Sequence, residues 1–200
     1  MPATQVHLVR HGEVFNPDGV LYGRLPNFRL SDAGVSGAAK AAKNLQSAGV
    51  QVSKLVVSPL ERTRQSAEPI SKLFEIDPVI DERIIEPYNF FEGKKVTASS
   101  VLLKPNLWFK LRNPMEPSWG EPFAAIASRM NEAIIEAAES VDSGDVVFVT
   151  HQLPIWVTHL ASKGKPLAHL PNRRRCSTSS ITSFNYDSGK LTEIGYTVAA

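Results

Sequence analysis

Val6-His7-Leu8-Val9-Arg10-His11-Gly12 is the stretch whose reading decides the fold. A short, largely apolar run breaks off into polar and small residues, as a buried strand does when it opens into a loop. The same design recurs twice. Leu55-Val56-Val57 ends in Ser58-Pro59 with Arg62 just beyond, and Val146 to Val149 closes on Thr150-His151.

Helical patterns lie between these strands. Ser31 reads as an N-cap, and Val35, Ala38, Ala39, Ala42 and Leu45 follow at helical spacing until Gly49. Thr63, Ala67, Ile70, Leu73 and Phe74 mark a second helix, with a kink expected at Pro69. Pro122 suits a first helical turn, and Phe123, Ile126, Ala127, Met130, Ile134 and Ala137 form the stripe behind it. A short helix around Ile155 to Leu160 and two alternating runs about Asp187-Ser188-Gly189, a terminal hairpin, complete the order. That order predicts one α/β domain over residues 1–200: a three-layer α/β/α sandwich with a mostly parallel central sheet. Lys94 to Trp119 shows no strand pattern and holds three prolines and two tryptophans. It reads as an irregular insertion, or lid, after the fourth strand region. Trp108, Phe109 and Trp119 beside Lys104, Lys110 and Arg112 suit a cover that selects the substrate.

Composition sets the outer bounds. A chain of 200 residues, 42% hydrophobic and 21% charged, can bury a core without disulfides or metal. The 22 basic and 20 acidic residues leave a net charge of only +2, which implies no general polyanion-binding surface. The single cysteine, Cys176, suits a reducing cytoplasm. No apolar run reaches the roughly 20 residues that span a bilayer, and the N-terminus lacks a secretory pattern. His7, His159 and His169 show no metal-ligand spacing. Arg173-Arg174-Arg175 without interleaved aromatics reads as a solvated loop, with a polyanion-holding rim as the second reading.

Ligands of open α/β sheets bind beyond the carboxyl ends of the strands. Three such ends carry Arg10-His11, Arg62 and His151, and together they would make a compact anion site. Arginine matches phosphate oxygens bidentately and stays charged. Neutral imidazole can act as a nucleophile, and protonated imidazole can donate to a phosphoryl oxygen.

The ordered set of motifs resembles the histidine phosphatase superfamily, also called phosphoglycerate mutase-like, and is similar in wording to an actinobacterial subgroup. Its pieces are Leu8-Val9-Arg10-His11-Gly12-Glu13, Tyr22-Gly23-Arg24, Leu30-Ser31-Asp32-Ala33-Gly34 and Ser58-Pro59-Leu60-Glu61-Arg62 continuing to Ala67. Phe91-Glu92-Gly93, Gly120-Glu121-Pro122 leading to Arg129, and Val149-Thr150-His151 follow. The resemblance implies His11 as a nucleophile that carries a transient phosphohistidine. Arg10, Arg62 and His151 would clamp the phosphoryl oxygens, and Glu86 would be the proton donor. Asn16, Gln152, Tyr22, Gly23 and Arg24 join as phosphate or substrate contacts, although the spacings to Asn16 and from Glu86 are each one residue short of the family's. Glu13 and Glu121 are expected to orient arginines or bind substrate.

The activity this implies is hydrolysis of a small phosphorylated metabolite without metal or organic cofactor. No nucleic acid or membrane partner is expected, and a homodimer is a compatible assembly. The chain closes soon after its hairpin, which on the family pattern favours a hydrolase over a mutase. A mutase and a non-catalytic scaffold are the alternatives, and retention of His11, Arg10, Arg62 and His151 speaks against the scaffold.

Overall fold

The computed structural model describes residues 2–95 and 120–199. Strand β1 (Gln5–Arg10) leads to helix α1 (Asp32–Ser47), β2 (Val52–Val57), α2 (Glu61–Phe74) and the short β3 (Pro78–Ile80). Then come α3 (Phe123–Glu139), β4 (Asp145–Thr150), α4 (Gln152–Ser162), β5 (Ile181–Asp187) and β6 (Lys190–Thr197). The sheet order is β3-β2-β4-β1-β5-β6. Strands β3, β2, β4 and β1 run parallel, and the terminal hairpin adds β5 and β6 antiparallel.

Side chains of successive strand residues point to opposite faces, so each strand feeds two cores. Val9, Leu55, Val57, Val147 and Val149 pack against Ala41, Ala42 and Leu45 of α1 and Ala67 and Ile70 of α2. Val6, Leu8, Val56, Val146 and Phe148 pack against Ile126, Met130 and Ile134 of α3 and Ile155 and Val157 of α4. The result is the expected α/β/α sandwich. Its register pairs Arg10 with Thr150 and Val57 with Val149, so β1, β2 and β4 deliver their carboxyl ends to one sheet edge. No helix among the described residues is long and apolar enough to cross a membrane.

Several details differ from the sequence-based expectation. Val35 is 57% exposed, and Gly34 and Ala41 join the buried face of α1 in place of Val35 and Ala39. Close approach explains this: a Cβ on Gly34 would come within 2.0 Å of the Glu13 carbonyl oxygen, and one on Gly12 within 2.4 Å of the Gly34 oxygen. Backbone contact between the α1 start and the loop after β1 sets the helix rotation, and small residues win over the larger apolar one. Residues 94–119 fall between β3 and α3, one strand earlier than expected, and the proposed cover at 96–119 lies outside the described residues.

Candidate active site

His11 is placed by the backbone before its side chain matters. Its N–H donates to the Thr150 carbonyl at 3.0 Å, extending the β1–β4 ladder by one residue. The next N–H, that of Gly12, donates to Ser66 Oγ at 2.9 Å, and that hydroxyl donates to the Arg62 carbonyl at 2.7 Å. The loop after β1 is thereby pinned to α2. The His11 ring is 2% exposed, with Nδ1 2.8 Å from the Gly12 carbonyl oxygen. A carbonyl only accepts, so Nδ1 carries the proton and Nε2 keeps its lone pair. Burial, and then the charges of Arg62 and Arg10, hold the imidazole well below its ordinary pKa. His11 is a neutral imidazole with one basic nitrogen free.

His151 caps β4 and is fully buried. Its ring meets that of His11 edge-on at 5.2 Å. Nε2 lies 2.7 Å from Ser58 Oγ, and Nδ1 lies 3.3 Å from Arg62 Nη2 and 3.6 Å from Glu86 Oε2. Burial leads the causes that keep this ring neutral too, with His11, Arg62 and Arg10 adding to it. Arg62, 1% exposed, donates Nη2 to the Gly23 carbonyl at 2.7 Å and stacks its guanidinium 4.8 Å over the Tyr22 ring. Arg10 donates to the Cys176 carbonyl at 2.5 Å. Among the described residues, the buried Nε atoms of both arginines have no hydrogen-bond partner. Buried donors left unpaired are costly, and two beside His11 define a place for an anion.

Glu86 is the acid of this cluster. Burial pushes its carboxyl above the ordinary value, while Arg62, Arg10, Arg174 and Arg129 pull it back. Its side chain remains one-fifth exposed to solvent. The backbone of Glu86 is held by Arg24, whose Nε donates to its carbonyl at 2.5 Å. Arg24 reaches Glu121 at 3.5 Å, and Arg129 grips the same carboxylate through Nε at 2.7 Å and Nη2 at 3.0 Å. Glu121 thus orients two arginines, as expected. Arg83 pairs with Asp81 and Glu136.

Other expected contacts have different occupations. The Asn16 amide bonds Val20 in both directions, at 2.8 and 3.2 Å, and closes its own loop. Glu13 accepts from the Ser31 hydroxyl at 2.7 Å, so it braces the start of α1 and meets no arginine among the described residues. Gln152 donates at 3.4 Å to the Cys176 carbonyl that Arg10 also uses. Tyr22 lies edge-on to His11 at 6.3 Å, and Gly23 adopts a φ of +41° to offer its carbonyl to Arg62. Sequence reasoning missed Ser58 as a partner of His151. It also missed that Arg174, alone of its triplet, is buried enough to share an electrostatic environment with Glu86 and Arg10.

A basic imidazole ringed by guanidinium donors at the carboxyl edge of a parallel sheet is the equipment of a phosphoryl-handling enzyme. The model of the histidine phosphatase superfamily (branch 1) matches residues 6–197, and the chain belongs to that family. An uncharacterized Mycobacterium tuberculosis protein, Rv0525, is 44% identical over 98% of this chain and 97% of its own. The 2,3-bisphosphoglycerate-dependent phosphoglycerate mutase of Thermoplasma acidophilum is 30% identical over 74% of this chain and 70% of its own. Among solved structures, the mycobacterial glucosyl-3-phosphoglycerate phosphatase Rv2419c, complexed with VO3, shares the fold at a TM-score of 0.78 and 21% identity. That match covers 96% of this chain and 97% of the other.

Proposed function

We propose that this chain is a phosphomonoesterase that hydrolyses a small phosphorylated metabolite through a phosphohistidine on His11. The observation that carries the reading is the free Nε2 of a neutral His11 beside the two unpaired arginine Nε donors. His11 Nε2 attacks phosphorus, and the bond from phosphorus to the ester oxygen breaks opposite it. Glu86, whose carboxyl burial pushes above its ordinary value, gives its proton to the departing alkoxide. Glu86 then takes a proton from water, whose oxygen attacks phosphorus. The N–P bond breaks, and inorganic phosphate and free His11 result.

Arg10 and Arg62 bind the phosphoryl oxygens and neutralise charge spreading over them in the transition state. Their fixed charge takes the part that a metal ion plays elsewhere, and the reaction needs none. An incoming dianion raises the proton affinity of His151, whose Nδ1–H then becomes a further donor. Cys176 is a free, buried thiol, in keeping with work in a reducing cytoplasm.

The test is to quench the enzyme during turnover of a phosphorylated substrate panel. The expected label is acid-labile, base-stable and confined to His11, and it is absent from His11→Ala. Label on a serine, or label that survives that substitution, overturns the mechanism. The resemblance to the Thermoplasma mutase supports a second outcome, discharge of the phosphoenzyme to an alcohol acceptor in place of water.

A further inference from the structure

Of the three consecutive arginines 173–175, two stay at the surface. Arg173 is exposed. Arg175 donates to Glu193 at 2.6 Å and lies 4.6 Å over the Tyr196 ring. Arg174 alone is drawn in, its pKa lowered by burial and its charge felt by Glu86 and Arg10.

Its loop is built into the wall beside the nucleophile. The Arg174 carbonyl accepts from the Cys176 N–H at 3.1 Å, and the Cys176 carbonyl takes Arg10. Ser179 N–H donates to the His11 carbonyl at 3.2 Å, and Arg10 N–H to that of Ser180 at 3.0 Å. Arg174 is further held by a histidine with one available tautomer. His169 Nδ1 lies 2.6 Å from the Leu167 carbonyl oxygen and so carries the proton, which leaves Nε2 to accept from Arg174 Nε at 2.9 Å. The His169 ring is wedged 5.0 Å from Phe123 and 6.0 Å from Trp156.

Anchoring at Nε leaves the two Nη groups as an unspent fork, without a hydrogen bond among the described residues. Among the described residues, the other cations of the site are committed. Arg24 and Arg129 share Glu121, while Arg10 and Arg62 face the position of the phosphoryl group. One uncommitted guanidinium beside a phosphate site matches one further negative charge, and its planar fork suits a carboxylate.

We propose that Arg174, presented by His169, is a specificity-determining residue that binds a carboxylate on the alcohol portion of the substrate. The preferred substrates are then phosphorylated hydroxy acids over neutral phosphorylated alcohols. This rests on the reading of the site as a phosphomonoesterase, but its test does not need turnover.

Binding of 3-phosphoglycerate and of glycerol 3-phosphate, which differ by a carboxylate in place of a hydroxymethyl group, is measured by calorimetry on His11→Ala protein. The acid should bind about tenfold or more tightly, as one charge-assisted contact implies. Adding Arg174→Gln should bring the two dissociation constants within about threefold by weakening the acid alone, and unchanged glycerol 3-phosphate binding certifies the fold. Arg174→Lys should recover little of the preference, because it lacks both the fork and the Nε donor. His169→Phe, which keeps a ring but loses the acceptor, should reduce the ratio without abolishing it.

Equal binding of both ligands by the Arg174-intact protein overturns the proposal. So does a preference that survives Arg174→Gln, or equal weakening of both ligands, which would place Arg174 in the phosphate clamp. Phosphate release by protein with His11 intact is scored separately on the same esters and on p-nitrophenyl phosphate. Absence of release from all of them defeats the phosphomonoesterase reading, while the ratio of dissociation constants still decides the role of Arg174.

Discussion

Ser58 Oγ lies 2.7 Å from His151 Nε2, joining the loop after β2 to the end of β4 through two fully buried side chains. Arg62 Nη2 can only donate, so the His151 Nδ1 that it faces at 3.3 Å is an acceptor and Nε2–H is spent on Ser58. Ser58 therefore selects the tautomer of the second histidine and fixes its tilt toward His11. Ser58→Ala removes one buried hydrogen bond, worth roughly 1–2 kcal/mol. The expected result is about a tenfold fall in kcat with little change in KM, read by steady-state kinetics. A fall in KM alone, or no change, would show that His151 is oriented by its other contacts.

Arg62 supplies charge and a donor that no other side chain duplicates at its position. Arg62→Ala should cost on the order of 2–4 kcal/mol in kcat/KM, as loss of a preorganised oxyanion donor does. Arg62→Lys should restore little, because a point charge reproduces neither the fork nor the contacts to Gly23 and Tyr22. Circular dichroism on both variants separates this from unfolding, and full activity in the lysine variant is the result that refutes it. Activity should also persist in excess EDTA, and rescue of lost turnover by added magnesium or zinc would contradict the role given to these arginines.

The architecture was legible because β1, β2 and β4 end abruptly in polar residues, and parallel pairing at matched register carries those ends to one edge. His11, Arg62 and His151 meet for that reason alone. Strand β3 was not legible: three exposed residues starting with proline, at a sheet edge, carry no periodic signal. Asn16 could not be settled by spacing, since its competing partner, the Val20 backbone, is available to any asparagine in such a loop. Likewise, three adjacent arginines read alike until the partners His169 and Glu193 separate their directions.

Stability should fall as the solution is acidified below about pH 6.5. His11 and His151 are held well below the ordinary histidine value of 6.5, chiefly by burial, and His7 is lowered for the same leading cause. The unfolded chain binds protons in that range which the folded chain refuses, so stability is fully present above pH 6.5 and is lost as pH falls through it. Melting temperatures from pH 8 to pH 5 should therefore decline. His11→Asn with His151→Asn should flatten that slope. A slope unchanged in the double variant would mean that neither ring is held neutral by the fold.

Glu86 should reveal itself through the leaving group and through a stability change of the opposite sign. A proton donor matters most when the departing alkoxide is strongly basic. Glu86→Gln should thus cut kcat on an alkyl phosphate by about 10²–10⁴-fold and on p-nitrophenyl phosphate far less, since p-nitrophenolate leaves without help. The basic limb of kcat/KM on the alkyl ester, which reports deprotonation of this acid, should disappear in the variant. Burial raises the Glu86 carboxyl above its ordinary 4.5, so the group favours folding below that pH and costs stability as pH rises through its folded value. Replacing it with a neutral amide should raise the melting temperature at pH 7–8, and the gain should vanish toward pH 4. Equal loss on both esters would assign the proton to another donor. A melting temperature lowered at pH 8 would mean that the attraction of Arg62 and Arg10 outweighs the burial of the charge.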